Sequence, residues 1–395
     1  MKSICPVWAG RKEKTINNYF DWIQVKHMIN VFGSKVGEEE IKEVSGSILN
    51  QWMGMGPKTK AFEAKMADRL GTNAFLLVDS GSNGLYMAMK LLNLPKGSEV
   101  ILPSLTWVSC AQAVLLAGCT PVFADVDINT QNITADTIKK QITDRTSAIM
   151  VVHYGGLPVD MDPIMELGYP VIEDACHAID STYKGRSCGL IGDVGVYSFD
   201  AVKNLAIGEG GGVVSRHDDI MERASLLRYC GIGKSGFEAS THGKERWWEY
   251  NIVEPFIKMC PSDIAAGIGL GQLEKLDELQ KFRKKIWDIY QFEFSKVDSI
   301  QTPVDANQGD NHSYFTYFIR IPHRDMVAKY LFEKGIYTTL RYHPLHMNEL
   351  YNSKAVLSNC EELNETGLNI PLHPSLTMND VDYIVDTLRS CDLLK

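Results

Sequence analysis

The sequence predicts an α/β protein, with a three-layer α/β/α domain around a mostly parallel sheet and a smaller α+β domain after it. Short apolar runs alternate with helix-spaced patterns over about 200 residues, the signature of such a layered domain. Several of those runs are apolar on both faces, as strands of a buried parallel sheet must be. A long polar helical stretch near 262–295 then leads out of the alternation into a segment with its own strand and helices.

In chain order, residues 1–35 form a leader containing Trp and Tyr, to which no element is assigned. Residues 38–52 read as a helix, because Ile41, Val44, Ile48, Leu49 and Trp52 fall on one stripe. Gly54-Met55-Gly56-Pro57 stops it, and a second amphipathic helix over 58–70 ends at Gly71. Strands are expected at 74–78, 99–102, 121–124, 148–153, 170–173, 194–199 and 211–215, with a helix at 81–92. Beyond the long helix, a strand at 314–321 and helices near 324–335 and 379–394 complete the second unit. The expected division is 36–265 for the large domain and 266–395 for the small one.

Composition narrows the function classes. The 395 residues are 45% hydrophobic and 23% charged, an ordinary globular mixture with enough length for a large core. The net charge of −9 argues against nucleic acid or an anionic membrane as the main partner. No apolar run reaches the roughly 18–20 residues a membrane span needs. Met1 to Trp8 carry no apolar core of signal-peptide length, which points to the cytoplasm. The nine cysteines are scattered without a C-x-x-C pair, so reduced thiols are expected and a metal site is not.

Four local features fall at the ends of expected strands, where open α/β sheets bind ligands. Asp79-Ser80-Gly81-Ser82-Asn83-Gly84 opens a helix and offers free N–H groups to a phosphate; the plainer alternative is Ser82 or Asn83 as an N-cap. In Val171-Ile172-Glu173-Asp174-Ala175-Cys176-His177 an acidic pair ends a buried strand, and Asp174 can face a protonated ring nitrogen or simply cap a helix. In Val196-Tyr197-Ser198-Phe199-Asp200-Ala201-Val202-Lys203-Asn204 one lysine sits past a strand among apolar residues. Desolvation would make that amine a nucleophile toward carbonyls. Gly208-Glu209-Gly210-Gly211-Gly212 continues into a strand rather than a helix, so it is a hairpin-like turn and not a dinucleotide fingerprint. Together, a phosphate cradle, a carboxylate and a sequestered lysine are the parts pyridoxal 5'-phosphate requires.

On these motifs the sequence resembles the DegT/DnrJ/EryC1/StrS sugar aminotransferases, which are fold-type-I pyridoxal-phosphate enzymes. The likeness runs from about Ser34 to Leu388. Its most specific stretch is Ser198-Phe199-x-x-x-Lys203-Asn204 followed by Gly208-Glu209-Gly210-Gly211. Further matches are Gly37-Glu38-Glu39-Glu40-Ile41, the run from Ile101 to Val108, the run from Thr120 to Asp127, Ser262-Asp263-Ile264-Ala265-Ala266 and the run from Pro371 to Leu376.

The resemblance implies that Lys203 is the Schiff-base lysine and proton shuttle and that Asp174 pairs with the pyridine nitrogen. Gly81, Ser82 and Ser198 would bind the phosphate, Trp107 would stack on the ring, and His177 would sit by the phenolic oxygen. It further implies a homodimer with shared active sites, an amino-acid donor such as L-glutamate, and a keto-sugar acceptor on a nucleoside diphosphate. Asp200 replaces the family's usual histidine. Phe256-Ile257-Lys258-Met259-Cys260-Pro261 replaces a Gly-Tyr-Asn-Tyr-Arg-Met segment, so Lys258 stands where an asparagine reaches the partner's phosphate. His343-Pro344-Leu345-His346 resembles a loop near the substrate, which makes His343 and His346 acceptor-site candidates. A deoxysugar dehydratase is the runner-up, countered by Lys203 where those enzymes carry histidine; a non-catalytic cofactor-binding regulator is the third reading, countered by the intact Asp174 and Lys203.

Overall fold

The computed structural model describes residues 28–233, 246 and 248–395, so most of the leader lies outside the described residues. The first described helix, α1, spans Glu38–Leu49, with three glutamates in its first turn facing the positive end of the helix dipole. It ends three residues short of the expected Trp52. Its apolar stripe does not enter the core: Ile41, Ile48, Leu49 and Trp52 are all more than half exposed. The inward face is polar instead, with Glu40 accepting from Gln272 Nε2 at 2.6 Å and Ser47 Oγ donating to the Asp263 carbonyl at 3.3 Å.

Helix α2 (Pro57–Leu70) starts with proline at N1 and ends at Gly71 with φ 70°, a left-handed cap that glycine adopts without strain. Its first turn is capped from far away. Asp263 accepts from the N–H groups of Gly56, Lys58 and Thr59 at 2.9–3.1 Å.

The seven strands expected of the sheet all form, β1 (Leu76–Val78), β2 (Glu99–Pro103), β3 (Thr120–Ala124), β4 (Thr146–Val152), β5 (Val171–Asp174), β8 (Val194–Ser198) and β9 (Gly211–Val214), and a small unexpected hairpin of β6 (Thr182–Tyr183) and β7 (Arg186–Ser187) precedes β8. Seven of them make one sheet in the order β1-β9-β8-β5-β4-β2-β3. Pairing from β8 through β5, β4 and β2 to β3 is parallel, and β9 runs antiparallel to both its neighbours. The C-terminal ends of β1, β2, β4, β5 and β8 therefore share one edge. The fold is α/β with a mostly parallel sheet, a fold-type-I architecture.

Strand residues alternate between two cores, because successive side chains point to opposite faces. Val100, Leu102, Met150, Val152 and Val196 pack with helices α3 (Gly81–Leu91) and α4 (Val108–Leu116). Ile101, Ile149, Val151, Val171 and Tyr197 pack on the other face with α2 and the first half of a long helix. Between these, α5 (Ala135–Lys139), α6 (Asp162–Met165) and α7 (Asp218–Arg228) complete the cover of the sheet.

The long helix, α8 (Asp263–Phe294), is the expected exit. Its second half contributes Ile286, Trp287, Tyr290 and Phe294 to a third core. That core is closed by β10 (Tyr317–Arg320), α9 (Arg324–Glu333), β11 (Gly367–Ile370) and α11 (Met378–Arg389), with β10 and β11 paired antiparallel, while α10 (Ser358–Thr366) turns Cys360 and Leu363 into the core that α3 and α4 share. Among the described residues no helix is long and apolar enough to cross a membrane.

Candidate active site

Two helix N-termini converge at the shared strand edge. Helix α3 is capped by Ser80, whose hydroxyl accepts from Asn83 N at 3.1 Å, so the cap is neither Ser82 nor Asn83. Ser82 Oγ lies 2.6 Å from Ser109 Oγ in the first turn of α4. Free N–H groups and the positive ends of both dipoles thus face one spot, a ready anion site. A Cβ on Gly81 would come within 2.8 Å of Ser198 Cβ, so only glycine lets this turn lie against the end of β8. Gly211 is needed for the same approach from β9, since a Cβ there would meet Gly81 N and the Ser80 carbonyl carbon at 2.5 Å. The glycine cluster is thus less a tight turn than a strand stripped of side chains where the anion loop crosses it.

The acidic pair at the end of β5 divides its labour by strand alternation. Glu173 points away from the site. It is fully buried and accepts from Gly189, Ile191 and Gly192 N–H groups at 2.6–2.8 Å, with His153 Nε2 at 2.9 Å. Asp174 points into the site. Its Oδ1 accepts from Cys176 N at 3.0 Å and its Oδ2 from the Cys110 thiol at 3.0 Å.

Lys203 sits in the connection from β8 to β9. That loop is fixed at its base by Phe199 N donating to Gly210 O and Ile207 N to Phe199 O, both at 2.8 Å. Next to the lysine, Asn204 Nδ2 donates to Gln280 Oε1 at 3.0 Å and Ser313 O at 2.6 Å. The Lys203 amine lies 4.8 Å from the centre of the Phe315 ring. Burial pulls its pKa below the ordinary lysine value, with Arg341 adding to the effect while Cys176, Asp174 and Asp200 oppose it. An amine so placed is more often neutral, and hence nucleophilic, than a surface lysine.

His177 stacks on Phe315 with centroids 4.2 Å apart, and its Nε2 is 3.1 Å from the Tyr342 hydroxyl. Burial, with Lys203 and Arg341 adding, drives its pKa well below 6.5, so the ring is neutral. Its Nδ1 is buried without a partner among the described residues. Trp107 is half exposed at the start of α4, with its ring 5.5 Å from that of Tyr342.

These groups line one cavity of about 380 Å³. Of the residues expected from the sequence, Gly81, Ser82, Trp107, Asp174, His177, Ser198 and Lys203 are brought together around it. Three are not. His346 is buried in packing contacts, its Nδ1 2.7 Å from Ser104 Oγ and its Nε2 3.3 Å from Glu361. His343 is exposed and 2.9 Å from Asn364 Oδ1. The chain that carries them turns so that the two residues just before, Arg341 and Tyr342, face the cavity instead. Lys258 is exposed, 5.8 Å from the Tyr229 ring and outside the cavity of its own chain. Sequence reasoning also missed Ser109, which the apolar start of α4 conceals, and Phe32, which arrives from the leader.

The donor set fits pyridoxal 5'-phosphate. The anion cradle is kept open by Gly81 and Gly211, a buried carboxylate stands at the end of β5, and the orphaned His177 Nδ1 can take an oxygen partner. Together with a desolvated amine across the same cavity, this is the arrangement around which fold-type-I pyridoxal-phosphate enzymes are built, and the fold and site define that class. Residues 34–389 match the DegT/DnrJ/EryC1/StrS aminotransferase family, and the chain belongs to it: it is a pyridoxal-phosphate-dependent aminotransferase.

The chain is 34% identical over 371 residues to dTDP-4-dehydro-2,3,6-trideoxy-D-glucose 4-aminotransferase of Saccharopolyspora spinosa, covering 92% of this chain and 96% of that one. The solved structure of the aminotransferase TlmJ from Streptoalloteichus hindustanus is similar with a TM-score of 0.87 and 38% identity, over 92% of this chain and 98% of that one. Spr1654 from Streptococcus pneumoniae, described as a sugar aminotransferase, is similar in its PLP form with a TM-score of 0.85 and 26% identity, over 92% and 98% of the two chains.

Proposed function

We propose that this enzyme moves an amino group from L-glutamate to the carbonyl of a keto-sugar carried on a nucleoside diphosphate, with Lys203 as the reacting lysine. The bound cofactor supplies an electron sink for the bond-breaking at the donor's α-carbon. Asp174, fixed by Cys176 N and the Cys110 thiol, would hold the ring nitrogen protonated. Ser80, Gly81, Ser82, Ser109 and Ser198 would hold the phosphate. Trp107 would cover a ring face and exclude water, and neutral His177 would meet the phenolic oxygen. Lys203 Nζ would anchor the cofactor and, once displaced by the donor's amine, take the proton from the α-carbon and return it to the other end of the transferred system.

The observation that carries this reading is the meeting of the Lys203 amine and the Asp174 carboxylate in one cavity. The nucleotide-linked keto-sugar is supported by the name of the Saccharopolyspora spinosa relative. A homodimer with shared sites is supported by the exposed apolar face of α1 and by Lys258, free to reach a second copy. The test is spectroscopic. The protein should be yellow, L-glutamate should bleach the band, and Lys203→Ala should bind the cofactor without being bleached in turnover. A wild-type band untouched by any amino acid, or a Lys203→Ala variant that still turns over, would sink the proposal.

A further inference from the structure

The His177 ring is held at the cavity wall by its plane and by one of its two nitrogens. It lies on Phe315 at an interplanar angle of 19°, which fixes the plane, and its backbone carbonyl accepts from Ser313 Oγ at 2.5 Å. Nε2 stands 3.1 Å from the Tyr342 hydroxyl, with the two rings within 22° of coplanar. Nδ1 is buried with no partner among the described residues. The ring is neutral, so one nitrogen carries a proton and the other a lone pair.

Which nitrogen carries the proton follows from Tyr342. A guanidinium can only donate, and Arg341 Nη1 donates to the Tyr342 oxygen at 3.1 Å. Burial pushes the Tyr342 hydroxyl up to about 12, so it keeps its own proton at ordinary pH. Among the described residues, His177 Nε2 is the one acceptor within reach of that proton. A proton on Nε2 would give the Tyr342 oxygen a second donor and leave its O–H unmatched. Tyr342 therefore donates to Nε2, and the imidazole proton stays on Nδ1. The direction of donation is Arg341 to Tyr342 to His177. The loop that sets it is pinned on both sides, by Arg341 N to Asn369 Oδ1 at 2.7 Å and Leu345 N to Ser104 O at 2.9 Å. Lys203 and Arg341 are the cations that bear on the His177 ring, and both keep a further positive charge off it, while Asp174 bears on Tyr342. A buried N–H without an acceptor is costly, and a ligand oxygen in the cavity removes that cost.

We propose that Tyr342 is a positioning residue that locks His177 as its Nδ1–H tautomer, so that the neutral ring donates a hydrogen bond to the cofactor's phenolic oxygen. This rests on the reading above, which sets His177 beside that oxygen, and specifies how the two meet. A neutral donor steadies negative charge on the oxygen without surrendering a proton. The other tautomer would turn a lone pair towards it and repel it.

The test is the pH midpoint at which the visible band of the holoenzyme changes. The nitrogen joining lysine and cofactor, when protonated, shares its proton with the phenolic oxygen. A second donor to that oxygen competes with it and lowers the midpoint. Tyr342→Phe should therefore raise the midpoint by about one pH unit, on the scale of a hydrogen bond to a charged group, and His177→Phe by at least as much. His177→Asn can place an amide N–H where Nδ1–H stood, and should restore the midpoint towards wild type. In that background Tyr342→Phe should have no further effect, because the amide has no tautomer to lose. An equal shift in both backgrounds shows Tyr342 acting through charge or packing alone and overturns the proposal, as does no shift in either. Nitrogen NMR of the wild type carrying labelled histidine reads the tautomer with Tyr342 in place. The His177 signals, located by their loss in His177→Asn, should show Nδ1 protonated and Nε2 bare; a proton on Nε2 overturns the proposal. Neither readout needs turnover, so a holoenzyme that no amino acid bleaches would sink the transferase reading and leave the tautomer standing.

Discussion

Removal of the Glu173 carboxylate should cost about 4 kcal/mol of stability. Four donors converge on it in a region without solvent: three backbone N–H groups at 2.6–2.8 Å and His153 Nε2 at 2.9 Å. A buried donor left without a partner costs about 1–3 kcal/mol, and breaking a buried ion pair by removing one side costs about 3–5 kcal/mol. The full sum is not reached in Glu173→Ala, because His153 can shed its proton. Burial alone disfavours the charged imidazole, and Cys188 and Glu173 outweigh it to raise the His153 pKa to about 10. Without Glu173, burial prevails and the ring goes neutral.

For a chain of 395 residues about 4 kcal/mol corresponds to a fall in Tm of roughly 5 °C. The assay is calorimetry on cofactor-saturated protein at matched concentration. The difference between wild type and variant should also depend on pH. His153 has a folded pKa raised above its unfolded value, so its share is full below about 6.5 and is lost as pH rises towards 10. Burial works against the charged Glu173, but His153 and the N–H groups keep its pKa lowered, so its share is lost as pH falls through the acid range. A Glu173→Ala protein within about 1 kcal/mol of wild type at pH 7, or a difference that grows towards pH 10, would refute the reasoning.

Further outcomes follow from the same geometry. Gly211→Ala places a Cβ 2.5 Å from Gly81 N and should weaken cofactor binding at least about tenfold, read as Kd by the visible band, with less effect on Tm. Asp174→Asn keeps the shape but not the charge; the cofactor should stay bound while bleaching by L-glutamate slows by about 100-fold or more. Burial holds the His373 pKa down to about 4, with its Nε2 donating to Asn30 O at 3.0 Å. A folded pKa below the unfolded 6.5 means stability is lost as pH falls through that window, by about 2 kcal/mol at pH 5. Denaturant titrations of His373→Gln should show that much less acid sensitivity than wild type.

The sequence by itself determined whatever spacing along a short stretch can encode. Short continuous apolar runs located the seven strands of the sheet, because a strand buried on both faces carries apolar residues at every position, and helix-spaced patterns located α2, α3 and α8. The motif around Lys203 and the glycines before β9 were legible for the same reason. Pattern also predicted an inward apolar stripe on α1, which the structure turns outward: periodicity says that a helix has two faces but not which of them meets the core.

Only the tertiary structure decided which residues share the cavity. Glu173 and Asp174 are neighbours in sequence, yet one ties down a loop and the other faces the lysine, a division set by which sheet face the site occupies. Arg341 and Tyr342 reach the cavity from far along the chain, Tyr342 meeting His177 across 165 residues of sequence. Of the histidines just after them, which looked more reactive, His346 is held in packing and His343 turns to the surface. Ser82 and Ser109 meet, 2.6 Å apart, because α3 and α4 start side by side. Contacts between residues so far apart depend on how finished elements pack, and no local spacing carries that information.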